Sequence, residues 1–141
     1  MVEQLVISDD KSLLNFDVIF RFLNEEARWS KGIPRETVKR SIKNSLCIGA
    51  YLNGDQVGFA RMVTDYATFG NLVDVLVLSE YRGNGISRLL LEAMNDHPDL
   101  QGLRRIMLAT SDKQKLYEKF GYTELGHPEI FMEKYNPNVY S

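Results

Sequence analysis

Two places in this 141-residue chain carry residue types and spacings able to do chemistry: the segment 81–94, "YRGNGISRLLLEAM", and a lone carboxylate, Asp74, just before it. Gly83 and Gly85 stand directly after Arg82 and directly before a helical apolar pattern. Backbone N–H groups of such a loop converge on the helix N-terminus, where unpaired donors and the helix dipole favour an anion. Missing β-carbons let a phosphate approach the backbone, and Arg82 adds a cation. A plain strand-to-helix turn uses the same two glycines, and the loop alone does not decide between these readings. A dinucleotide fingerprint would need a third glycine where Arg88 stands, and a Walker loop needs a lysine that is missing. Asp74 interrupts an otherwise apolar run from Leu72 to Leu78. A charge there requires a partner or a function. It is either a general base acting through water or an anchor that accepts backbone hydrogen bonds and fixes a distorted strand. Asp65, Tyr66 and Asn71 are weaker polar candidates nearby.

The elements that must position these residues follow from periodicity. "EQLVIS" reads as a strand. "SLLNFDVIFRFLNEEAR" reads as a helix with Leu13, Phe16, Phe20 and Leu23 near one face, and "GIPRETVKRSIKNS" as a second with Pro34 near its first turn. Asn53-Gly54 is the strongest hairpin signal, joining two strands. "NLVDVLVLS" is a continuous apolar run of the kind that is covered on both faces. Ile86, Leu89, Leu90, Ala93 and Met94 keep a helical period until "DHPD". "LRRIMLAT" is a strand, "DKQKLYEKF" a helix closed by Gly121, and "YTEL" and "EIFMEKY" are expected as two final strands. The order is β-α-α-β-β-β-α-β-α-β-β, a single mixed α/β domain over 1–141, with the strands flanking the glycine loop and its helix parallel and adjacent.

Composition narrows the function classes. At 44% hydrophobic, 26% charged and a net charge of −2, the chain is ordinary globular material and offers no support for a nucleic-acid partner. No apolar stretch approaches membrane-spanning length, and a cytoplasmic location is expected. Cys47, the only cysteine, makes neither an internal disulfide nor a CxxC metal site. His97 and His127, each beside a proline, are expected on the surface, and no metal is expected. Phe22, Arg28 and Trp29 are read first as core and solvated helix end.

"VDVLVLSEYRGNGISRLLLEAM" resembles the central motif of the GNAT superfamily of acyl-CoA-dependent N-acetyltransferases, R/Q-x-x-G-x-G/A after an apolar strand. Arg82, Gly85 and Ser87 occupy its positions, with Ser87 in place of the usual Gly or Ala. Downstream, "KLYEKFGY" resembles the superfamily's L-Y-x-K-x-G-F/Y segment. The resemblance implies a GNAT-like fold with splayed central parallel strands and acetyl-CoA in the cleft between them. The backbone of Val75, Leu76 and Val77 would pair with the pantetheine arm. Arg82, Gly83, Asn84, Gly85, Ile86 and Ser87, with Arg88, would hold the pyrophosphate. Tyr117 matches the tyrosine that protonates the departing thiolate. Thr110 stands where the family often has an asparagine that binds pantetheine, and Ser79 where it often has proline.

The implied activity is acetyl transfer to a primary amine on a small molecule or peptide by direct attack, with no acyl-cysteine. Homodimers are common in the resembled family. A CoA-binding sensor without turnover and a modifier of macromolecular amines are the rival readings.

Overall fold

The computed structural model describes residues 4–141; Glu3, at the head of the expected first strand, lies outside the described residues. One sheet holds β1 (Leu5–Ser8), β2 (Leu46–Leu52), β3 (Asp55–Thr64), β4 (Phe69–Val77) and β5 (Arg105–Met107), side by side in chain order. The first four strands run antiparallel, and β4 pairs with β5 in parallel. The β2–β3 turn forms as expected: Asn53 and Gly54 take φ of 53° and 88°, the left-handed pair that a two-residue hairpin demands.

Helices cover both faces. On one, α3 (Ile86–Asn95) buries Ile86, Leu90, Leu91 and Met94 against Ile48, Val57 and Met62. The approach is close because Gly58 lies beneath it: a β-carbon there would sit 3.1 Å from Leu90 and 3.2 Å from Ile86. On the other face, α1 (Phe16–Arg21) and α2 (Arg35–Lys43) set Ile19 and Val38 against Cys47, Phe59 and Leu76. Asn15 starts α1, its side chain accepting from the Val18 N–H at 3.2 Å. Leu13 is therefore not on this helix. It belongs to a separate 3₁₀ turn, fastened by Asp10 to the Ser12 N–H, and is half exposed. Beyond Arg21 the helix widens into a π turn, Phe22–Glu26, which keeps Phe22 and Leu23 in the core. No described helix is long and apolar enough to cross a membrane.

The two final strands do not form. Among the described residues, 122–127 join no strand ladder, Pro128–Ile130 makes a 3₁₀ turn, and 131–136 runs on without a ladder. Apolar alternation gives a segment the capacity to be a strand, but the ladder needs a neighbour with free backbone groups. No backbone hydrogen bond joins this region to β5 among the described residues. Instead the Arg105 guanidinium lies over the Phe131 ring at 5.0 Å, and Tyr140 comes back to pack beside Gly32 and the α1–α2 cluster.

Candidate functional site

β4 and β5 share a register only over Phe69–Asn71 and Arg105–Met107. β4 then continues to Val77 with its β5-facing edge unpaired. The two strands thus open toward their carboxyl ends, the position where ligands enter open α/β sheets. The opening has a local cause. Arg61 pairs with Val73 and Phe59 with Leu76, so Ala60 alone faces both Asp74 and Val75. That β-bulge adds a residue to β4 and bends it. Asp74 takes φ of 52°, a left-handed conformation that Asp and Asn tolerate better than other side-chain-bearing residues.

Asp74 is fastened by side chains, not by the backbone hydrogen bonds expected from sequence. Its Oδ2 accepts from Arg61 Nε at 2.9 Å, and its Oδ1 from Trp29 Nε1 at 2.8 Å. Arg61 also donates through Nη1 to Ser45 Oγ at 2.9 Å. The ion pair is shielded, with side-chain exposures of 15% for Arg61 and 8% for Asp74. Trp29, expected in the core, instead lies exposed across this carboxylate, while Phe22 is buried and Arg28 exposed.

β4 leads through a 3₁₀ turn at Ser79–Tyr81 into the glycine loop. Gly83 and Gly85 take φ of 82° and 77°, and Gly85 is the N-cap of α3. Glycine is needed there for backbone freedom, because a β-carbon at Gly83 would meet nothing and one at Gly85 only the Arg88 side chain at 3.9 Å. No side chain caps α3, and from Gly83 to Arg88 no backbone N–H has an acceptor among the described residues. Arg82 is folded under the loop, its Nε donating to Val77 O at 3.0 Å, and Asn84 braces the turn by donating to Tyr81 O. Ile86 is buried, Ser87 half-buried and Arg88 exposed, the last 3.4 Å from Glu92.

Because β5 is parallel to β4, the chain leaving it arrives at the same end of the sheet. There Thr110 accepts the Lys113 N–H at 3.1 Å and opens the turn into α4 (Gln114–Glu118), which carries Tyr117. Tyr117 is half-buried, edge-on to Tyr122 with ring centres 6.0 Å apart. Burial, with the nearby Asp112 carboxylate, pushes its hydroxyl above the ordinary phenol range. That hydroxyl has no hydrogen-bond partner among the described residues. A cavity of about 710 Å³ is lined by Tyr117 and Thr110 but lies along the far edge of β5, away from β4 and the glycine loop.

The remaining candidates resolve into structural roles. Asp65 caps the β3–β4 turn, accepting from Ala67, Thr68 and Phe69 N–H groups and the Thr68 hydroxyl. Those bonds hold its carboxyl far below the usual carboxylate range. Tyr66 is exposed with φ of 62°, and Asn71 is half-buried in β4. Cys47 is 1% exposed and burial pushes its thiol up to about 11, which makes it a poor nucleophile. His97 is not a surface group as expected: its side chain is 10% exposed, with Nε2 2.7 Å from Asp9 and Nδ1 accepting the Asp99 N–H. His127 is exposed beside Glu129, and no cluster of metal-binding side chains occurs among the described residues.

A family model for an acetyltransferase (GNAT) domain matches residues 43–124, the stretch from the end of α2 past α4. The chain belongs to the GNAT acetyltransferase family. A Gibberella zeae protein that carries an acetyltransferase name is 36% identical over 81% of this GNAT chain and 76% of its own length. A crystal structure of a GNAT-family protein that carries an acetyltransferase name, from Xanthomonas campestris pv. campestris, shares 48% identity, covers 100% of this chain and 99% of its own, and superposes with a TM-score of 0.96. A Clostridium acetobutylicum protein that carries an acetyltransferase name, solved with acetyl-CoA, shares the fold at a TM-score of 0.63 and 20% identity, over 93% of this chain and 94% of its own. The GNAT fold expected from the sequence is therefore established, apart from its two closing strands.

Proposed function

We propose that the protein transfers an acetyl group from acetyl-CoA to a primary amine by direct attack, with Tyr117 as general acid. The observation that carries this reading is the uncapped start of α3 beside the opening between β4 and β5. Unpaired N–H groups, two left-handed glycines without crowding and an adjacent unpaired strand edge suit a pyrophosphate joined to an extended amide-containing arm.

When bound, acetyl-CoA supplies an activated thioester. The backbone of Val75, Leu76 and Val77 holds the arm as an added strand would, and one N–H there aligns with the thioester carbonyl oxygen, where negative charge develops. Gly83, Asn84, Gly85, Ile86, Ser87 and Arg88 direct N–H groups to the pyrophosphate, and Arg82 offers the part of its guanidinium not used on Val77. Thr110 keeps a hydroxyl hydrogen to donate to the arm. Tyr117, protonated throughout the neutral range, gives its proton to the departing sulfur. The amine must arrive or become neutral. Asp74, with each carboxylate oxygen already accepting one bond, serves as the positioning residue of the bulge, and the second reading makes it a base through water. Trp29 and Tyr66, both exposed, favour an acceptor side facing the α1–α2 loop, which suits a small molecule or a peptide amine. A cytoplasmic enzyme with no nucleic-acid partner is part of the same proposal.

The test is a thermal shift with acetyl-CoA followed by CoA release across a panel of amines, with Tyr117→Phe alongside. Stabilisation that grows with ligand concentration is expected from mass action. No shift well above micromolar acetyl-CoA overturns the proposal. A shift without turnover on any amine or peptide favours a CoA sensor.

A further inference from the structure

Trp29 is the only tryptophan in the chain, and it stands 59% exposed while Ala27, Ser30 and Ile33 around it are buried. The segment that presents it is braced on both sides. Ser30 Oγ donates to Leu23 O at 2.8 Å, the Gly32 N–H to Asn24 O at 2.8 Å, and Asn24 Nδ2 to Ile33 O at 3.0 Å. The π turn Phe22–Glu26 closes through the Ala27 N–H, which donates to Phe22 O at 2.9 Å, and π turns recur at functional sites. The ring is therefore held in place with little of its own area buried. Its one polar atom is committed: Nε1 donates to Asp74 Oδ1 at 2.8 Å.

That bond reaches the part of β4 that the sheet itself does not fix. The β3–β4 ladder pairs Val73 with Arg61 and Leu76 with Phe59, and gives Asp74 and Val75 no partners of their own. The peptide groups between those two pairs take their orientation from the left-handed φ of Asp74 and from whatever holds its side chain. Arg61 grips one carboxylate oxygen through Nε, a single contact that balances the charge, and turns its Nη1 to Ser45. Trp29, approaching from a different element, takes the other oxygen. Two charge-assisted bonds from two directions fix the plane of a carboxylate where one fixes only a point.

We propose that Trp29 is a positioning residue for acyl transfer: its indole N–H, acting through Asp74, sets the peptide groups of β4 that receive the thioester. The inference rests on the acetyl-transfer reading, in which an N–H of Val75–Val77 aligns with the thioester oxygen. It adds to that reading a residue from the α1–α2 loop. Misplacement of a reacting group by about 1 Å costs about 10²-fold in rate. Loss of the bond should therefore appear in kcat, and not in donor affinity, which in the same reading comes largely from the α3 N-terminus. The indole face is left to the acceptor, and the N–H serves the donor strand.

Two analogues incorporated at the single tryptophan position separate the N–H from the ring. Benzothienylalanine has the shape of tryptophan with sulfur in place of the N–H, and fluorotryptophan keeps the N–H. The benzothiophene form should retain the thermal shift given by acetyl-CoA and lose kcat by about 10–10²-fold, with KM for acetyl-CoA little changed; the fluorotryptophan form should keep the wild-type kcat. A second readout needs no acceptor: the one indole N–H resonance of nitrogen-labelled protein should move as acetyl-CoA saturates, following the thermal-shift curve. A resonance that stays put while acetyl-CoA stabilises the protein overturns the inference and leaves donor binding standing. So does a benzothiophene form with full kcat, or one that changes only the KM of the amine, since the ring face alone would then matter. Absence of any stabilisation by acetyl-CoA fails the donor reading itself, and this inference with it.

Discussion

Replacement of Asp74 separates the bulge from the ion pair. Asp74→Asn preserves shape and the tolerance for a left-handed φ of 52°, but removes the charge opposite an Arg61 side chain that is only 15% exposed. Leaving one member of a shielded pair unmatched costs about 3–5 kcal/mol. With Ser45 still accepting from Arg61, the expected loss is at the lower end, about 3 kcal/mol. Asp74→Gly loses the carboxylate altogether but relaxes the backbone, whereas Asp74→Ala loses the carboxylate and strains it by about 1–2 kcal/mol. Glycine should therefore be more stable than alanine here by about 1 kcal/mol or more. In an ordinary strand position the order is reversed. Urea denaturation of the four proteins, with slopes unchanged, reads these differences as midpoint shifts. An alanine variant as stable as the glycine variant would refute the left-handed bulge, and an asparagine variant within 0.5 kcal/mol of wild type would refute the ion pair's weight, that being roughly the scale of an inert surface change. On the amine giving turnover, a positioning role leaves the shape of the pH–kcat profile intact in Asp74→Asn. Disappearance of the acidic limb would assign the base to Asp74 instead.

Tyr117→Phe keeps the ring against Tyr122, so Tm should hardly move while kcat falls about 10²–10⁴-fold with KM for acetyl-CoA little changed; an unaltered kcat removes Tyr117 from the chemistry. Gly85→Val puts a β-branched residue at φ of 77° and should weaken acetyl-CoA binding in calorimetry much more than it changes the far-UV spectrum, and equal affinity would sink the cradle. Cys47 ties pH to stability: its thiol is raised from 9.0 to about 11, so the native state holds the proton longer than the unfolded chain. That contribution is complete below pH 9 and is lost as pH climbs toward 11. Urea midpoints should fall over that window, and Cys47→Ala should flatten the fall; an unchanged slope would refute the assignment. Tyr51 and Tyr122, both pushed from 10.0 up to about 12, add a further fall from pH 10 upward that Cys47→Ala leaves in place.

What was legible in the sequence was local. The Asn53-Gly54 turn, the apolar run of β4 and the glycines before α3 each combine a backbone requirement with a periodic neighbour, and the family match secures the fold around them. The bulge was not legible, because its cause joins Asp74 to Arg61 and Trp29, and Trp29 is 45 positions away. A lone carboxylate in an apolar run announced that some partner was needed but not which. The burial of His97 depends likewise on Asp9, 88 positions earlier. The two closing strands failed for a different reason. Alternation in "EIFMEKY" reports a readiness to pair, and pairing also requires an edge within the reach of its own turn, which Pro128 and Phe131 withhold.

The sheet's strand order repeats its order in the chain, and this bears on how the molecule comes apart. β2 through β4 form a meander closed by nearby segments, the cheapest kind of pairing to assemble from an unfolded chain. β5 joins only after the α3 crossover is in place and is held by three register pairs. The half of the protein that would grip the acetyl donor is therefore the last to be stitched in and the first to fray. Native-state amide exchange should run fast in β5 and α4 and slow in β2 and β3. A ligand bridging the α3 N-terminus and the β4–β5 opening would act as the clasp between a preformed meander and a late-arriving edge.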